Sequence, residues 1–144
     1  MSVQPELRDS LFIATDDRSN FKQIIAKRSD LVRYAGGRLA PSMVPGYYYA
    51  GLVLGYANSG GDAGYYKAYN SGNTDGSQVA VGVLSEDANV VTGYGSVGDG
   101  SEIVIIKEGD LLQGLLIGLD STAISNMSGK SYVEHGVQIL SIRA

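Results

Sequence analysis

The chain has 144 residues, 44% hydrophobic and 18% charged, with a net charge of −4, 20 Gly, 10 Tyr, one His and no Cys. That composition belongs to one folded domain rather than a disordered polymer. The lack of Cys excludes disulfides, thiolate zinc sites and Cys nucleophiles, and the acidic balance argues against a nucleic-acid partner, which would call for a basic face.

Residues 1–20 differ from the remainder. They hold Pro5, several charges and the polar run Thr15-Asp16-Asp17-Arg18-Ser19-Asn20, with Leu11-Phe12-Ile13 as their apolar cluster. This pattern predicts a flexible N-terminal arm with a short apolar anchor, followed by a single β-rich domain over 21–144. The first residues lack the apolar region of a signal peptide. The longest strongly apolar stretch, Leu111 to Leu119, is interrupted by Gln113, Gly114 and Gly118. It falls short of the ~18–20 residues of a membrane span, so no membrane partner is expected.

Residues 21–45 are ambiguous: Phe21, Ile24, Ile25 and Arg28 fit a helical face weakly, while Ile24-Ile25 and Leu31-Val32 suit short strands, and Gly36-Gly37, Pro41 and Pro45 forbid a long element, which favours strand and loop. Tyr47 to Tyr56 reads as a strand with glycine bends. Asn58-Ser59-Gly60-Gly61-Asp62 reads as a turn and Tyr65 to Tyr69 as a second strand, so 47–69 is expected to form a hairpin. A loop over Asn70 to Ser77 then carries Asp75-Gly76 as its tight turn. Val79, Val81 and Val83 alternate along the next strand.

Gly93 to Ser101 is a Gly-rich loop. Ile103 to Lys107 is a predicted strand, Glu108-Gly109-Asp110 a turn, and Leu111 to Leu119 another strand. Asp120 is a candidate helix N-cap, and Ala123, Ile124 and Met127 share one helical face that Gly129 ends. Val137, Ile139 and Ile142 form a last strand. About seven short strands with one short helix predict a mainly β unit, a small barrel or sandwich.

Candidate chemistry is thin. His135 is the lone His, and no Gly-x-Ser-x-Gly elbow accompanies it. Gly93-Tyr94-Gly95-Ser96-Val97-Gly98 matches a dinucleotide fingerprint in letters, but a β-type run follows where a phosphate-binding helix would have to start. Glu86-Asp87, Glu102 and Glu108-Asp110 fall at strand ends and turns, which suits solvated residues better than a facing carboxylate pair. Asn126-Met127-Ser128 matches a glycosylation sequon. These readings predict no enzyme, no cofactor and no metal.

The unusual feature is a set of Tyr residues: Tyr47, Tyr48, Tyr49, Tyr56, Tyr65, Tyr66 and Tyr69. Tyr supplies large, stiff, amphipathic area suited to interfaces, and it also stacks on sugars. Tyr47, Tyr49, Tyr65, Tyr66 and Tyr69 are the candidates for contact between subunits.

Three segments in order carry a resemblance: Ala50-Gly51-Leu52-Val53-Leu54-Gly55, Tyr65-Tyr66-Lys67-Ala68-Tyr69-Asn70, and Thr74-Asp75-Gly76-Ser77-Gln78-Val79-Ala80-Val81-Gly82-Val83-Leu84. With Ile103–Lys107, Ile124–Met127 and Gly136–Leu140, the pattern from about residue 46 to 144 resembles the lambda-type head decoration proteins of tailed bacteriophages. The resemblance implies a small β-barrel or β-tulip-like domain with one short helix and an extended N-terminal arm. It also implies a homotrimer at three-fold and quasi-three-fold positions on the outside of an expanded head, clamping the major capsid protein against internal DNA pressure. In that setting Pro5, Leu7, Leu11, Phe12 and Ile13 are the candidate capsid-binding residues of the arm. The expected location is the virion surface, after synthesis in the bacterial host cytoplasm. The alternative is another virion-surface β module, such as a carbohydrate-binding or head-fibre base domain.

Overall fold

One strand organises the molecule. The computed structural model describes residues 24–27, 31–90 and 102–144, and in it Glu102–Leu112 forms a continuous strand of 11 residues, β8. Both of its edges are used. Ile106 faces Tyr34 across one edge and Val83 across the other; Glu108 faces Arg33 and Arg143, and Leu111 faces Ile25 and Leu140. One edge therefore carries β1 (Ile25–Lys27) and β2 (Arg33–Arg38), while the other is shared by β6 (Ala80–Leu84) and β10 (Val137–Arg143).

The main sheet runs β5–β4–β6–β8–β10–β9, where β4 is Val53–Tyr56, β5 Tyr66–Ala68 and β9 Lys130–Glu134. A two-stranded sheet of β3 (Gly46–Tyr48) and β7 (Ala88–Val90) stands apart from it. All named strand pairs are antiparallel. The helix α1 spans Ser121–Asn126, and the Asp120 side chain accepts from Ala123 N–H at 2.7 Å, as an N-cap should. The fold class is mainly β with one short helix, as expected.

Several local expectations are corrected. Glu108-Gly109-Asp110 is strand, not turn, because pairing on both edges outweighs local turn preference. Tyr47 to Tyr56 is two strands in different sheets. The break lies at Gly51, with φ +101 and with the Leu115 carbonyl oxygen only 2.4 Å from where a Cβ would sit. Gly51 N–H donates to Leu84 O at 2.8 Å, which fixes the bend. The hairpin is accordingly β4–β5, in the register Leu54–Ala68 and Tyr56–Tyr66. Beyond Leu112 the predicted strand becomes a 3-10 turn, Gln113–Leu115, then an isolated bridge from Ile117 to Leu52. Strands β2, β7 and β9 have no counterpart among the expected elements; β9 joins β10 through His135 and Gly136, φ 53 and 79, a two-residue turn with both central φ angles positive.

The core lies on both faces of β4–β6–β8. Val53, Val83 and Ile106 point to one side, with Leu111, Leu140, Ala123 and Met127. Leu54, Leu84 and Ile105 point to the other, with Leu39, Leu52, Val90 and Ile103. A sheet buried on both faces has no need of polar alternation, which explains the unbroken apolar run Val83-Leu84 and the pair Ile105-Ile106. The arm (1–20) and the Gly93–Ser101 loop lie outside the described residues, and with them Pro5, Leu7, Leu11, Phe12, Ile13 and the Gly93–Gly98 match.

Candidate functional site: an exposed aromatic segment

The β3 segment presents apolar side chains to water. Alternation along an extended chain puts Tyr47 and Tyr49 on one side and Tyr48 on the other. Tyr48 turns inward onto the Leu39–Leu84 cluster, and its hydroxyl donates to Val44 O at 2.6 Å. Tyr47 and Tyr49 stay 68% and 53% exposed, and nearby Val44 is 74% exposed. The scaffold beneath them is firm. Gly46, Tyr47 and Tyr48 pair with Val90, Asn89 and Ala88, and the Asp87 carboxylate accepts Ala50 N–H at 2.8 Å.

The other candidate tyrosines separate from this segment. Tyr66 lies on β5, half-buried, with its ring 5.0 Å from that of Tyr56 in an edge-to-face pair. Burial, followed by the neighbouring Tyr56, pushes its hydroxyl pKa up. Gly37 of β2 lies under that ring: a Cβ there would come within 2.6 Å of it. Tyr65 is also half-buried. Tyr69 must be removed from the proposed contact set. It belongs to the chain's own core at 7% exposure, and its hydroxyl donates to the Asp120 carboxylate at 2.9 Å. Burial first, then that carboxylate, raises its pKa.

The Asp75-Gly76-Ser77 block turns out to be architecture. Lys67 Nζ donates to Asp62 Oδ2 at 2.9 Å and to Asp75 Oδ2 at 3.1 Å. Asp75 Oδ1 accepts from the Ser77 hydroxyl at 2.6 Å and from Ser77 N–H at 3.0 Å. The Ser77 hydroxyl, its N–H and then Lys67 hold the Asp75 carboxyl far below the usual carboxylate range. Asp62 is lowered by the Ser42 hydroxyl and by Lys67, and Lys67 is raised by Asp62. The clamp ties the start of β6 to the β4–β5 hairpin.

The remaining polar candidates are also accounted for. Glu102 pairs with Arg38 at 3.3 Å, and Glu108 bridges Arg33 and Arg143 at 3.3 and 3.4 Å. Asn126 accepts Ala80 N–H at 2.9 Å, a tie between α1 and β6. His135 sits exposed in its turn. Among the described residues no group of three or more His, Cys, Asp or Glu is placed to hold a metal ion, and no helix is long and apolar enough to cross a membrane.

One apolar row falls outside the expected candidates. Tyr34 and Val104, 51% and 39% exposed, share a face of the β2–β8 ladder where Gly36 faces Val104. Only the aromatic in an otherwise ambiguous segment hinted at it. No family model, curated protein or solved structure matches the chain.

Proposed function

We propose that the chain is a capsid decoration protein of a tailed phage: a β-tulip-like domain that trimerises and sits on the outside of the expanded head at three-fold and quasi-three-fold sites. The observation that carries this reading is the pairing of a core on both faces of the sheet with exposed Val44, Tyr47 and Tyr49 on a segment held by the β3–β7 pairing. Rigid exposed aromatics favour association, since little side-chain freedom is lost on docking. The segment resemblance supplies the partner, the major capsid protein, and Tyr47 and Tyr49 are the first candidates for the trimer contact; the half-buried Tyr65 and Tyr66 are separate, secondary candidates. A cement acts by many weak contacts summed over a trimer, so avidity replaces a single deep pocket. Pro5, Leu7, Leu11, Phe12 and Ile13 then supply the arm's grip on the shell.

The test joins sedimentation of the isolated protein with binding to expanded, undecorated heads. A trimer that binds them supports the reading; a monomer that ignores them overturns it. Deleting residues 1–20 should abolish or strongly weaken head binding and leave the trimer intact. The side-by-side placement of Tyr47 and Tyr49 also suits a sugar-stacking face. Glycan binding without affinity for heads would select the carbohydrate-binding alternative.

A further inference from the structure

We propose that Asp75-Gly76 is a latent isoaspartate site, which the folded chain keeps closed by holding both reacting groups in competing hydrogen bonds. The reaction needs the Gly76 nitrogen to attack Asp75 Cγ. A C–N bond forms, the carboxyl oxygen leaves as water with the amide proton, and a five-membered succinimide results. Water then reopens the ring: attack at the side-chain carbonyl restores Asp75, and attack at the main-chain carbonyl leaves an isomer whose main chain runs through the Asp75 side chain. No oxidant or reductant takes part. Asp-Gly is well suited to this chemistry because glycine places no side chain in the path of the attack.

Here every atom involved is occupied. Gly76 N–H is donated to Gln78 Oε1 at 2.7 Å. The Asp75 carboxylate takes Ser77 N–H and Oγ on one oxygen and Lys67 on the other. The Asp75 carbonyl accepts Asn58 N–H at 2.8 Å and Ser59 N–H at 3.3 Å. Turning the nitrogen onto Cγ therefore means breaking several of these bonds together. The depressed carboxyl pKa works in the same direction, since expulsion of water requires protonation.

The turn cannot simply drop the glycine. Gly76 has φ +110, and a Cβ there would lie 2.7 Å from the Asn58 side chain. The hazardous dipeptide is retained for its shape and protected by its neighbours. Isomerisation would add a methylene to the main chain and shift the carboxylate away from Lys67, opening the tie between β6 and the β4–β5 hairpin.

The test is incubation of the full chain at neutral pH, folded and in guanidinium, followed by peptide mapping for isoaspartate at residue 75. Cleavage after Glu86 separates it from Asp99-Gly100. Isomerisation in the folded chain should be slower by at least about tenfold, because it must await local opening. Gln78→Ala, with its fold verified by circular dichroism, should isomerise several-fold faster than the folded parent. Equal rates in the folded and unfolded parent would overturn the proposal, as would a folded Gln78→Ala variant no faster than the parent. Should Gln78→Ala not fold, the parent comparison decides alone.

Discussion

If the proposed trimer forms through this segment, replacing both Tyr47 and Tyr49 by Ser should dissolve it and leave the subunit's own stability nearly untouched. The two side chains are 68% and 53% exposed. With roughly 200 Å² per Tyr, each leaves on the order of 120 Å² to water. Complete burial at about 25 cal/mol per Å² would be worth roughly 3 kcal/mol each. Ordering of side chains and imperfect packing reduce this to about 1–2 kcal/mol per Tyr. The double variant should thus weaken each subunit contact by about 3 kcal/mol, on the order of a hundredfold in association constant. Sedimentation velocity across a concentration series reads that shift. Urea unfolding of the monomeric species should move by no more than about 0.5 kcal/mol, as for ordinary surface substitutions. Tyr69→Ala is the mirror control: it should lower stability by about 3 kcal/mol through lost core packing. A Tyr47→Ser/Tyr49→Ser protein that stays trimeric would refute the assignment of this segment to the contact.

Other consequences can be checked by unfolding. Leu84→Ala removes a fully buried side chain from the β6 core and should cost about 2–5 kcal/mol, seen as a lower urea midpoint at unchanged slope. Gly51→Ala must accommodate a side chain at φ +101 against the Leu115 carbonyl; a loss of about 1–3 kcal/mol is expected, and an unchanged melting temperature would contradict the bend. Asp120→Ala removes the α1 cap and the Tyr69 acceptor together and should cost about 1–2 kcal/mol, with Asp120→Asn milder. Asp62 and Asp75 have folded pKa values below their ordinary 3.8, so their contribution is present above that value and is lost as pH falls through the depressed values. Lys67 is raised above 10.5, so its share persists below that pH and is lost as pH rises through the raised value. Lys67→Met should therefore flatten the acid limb of a stability–pH curve measured by urea titration.

What could be read in advance depended on whether the deciding partner was near in sequence. The Asp120 cap and the Asp75-Gly76 turn were legible because their acceptors and donors lie within three residues. Strand β2 was not: Arg33–Arg38 contains Gly36-Gly37 and becomes a strand only by pairing with Glu102–Glu108. The same long-range pairing converts Glu108-Gly109-Asp110 from an apparent turn into strand. The tyrosines show the limit for the site. Tyr47 and Tyr69 are alike as letters, yet one is exposed while the other reaches Asp120, 51 positions away. Alternation did separate Tyr48 from Tyr47 and Tyr49 once β3 was located.

The central place of β8 has a consequence in time. A ribosome delivers residues in order, and β8 emerges after β1, β2, β4 and β6 have already been made. Arg33 must wait for Glu108, 75 positions later, before its strand has a ladder. Until then β2 has no sheet to join and β6 has one edge open, which are the circumstances in which nascent chains pair with the wrong neighbour. Closure over such separations is slow, because loop entropy is lost before any strand bond forms. Synthesis rate and chaperones should therefore govern the yield of native protein more strongly than its final stability does, and a chain truncated before residue 102 should aggregate rather than fold.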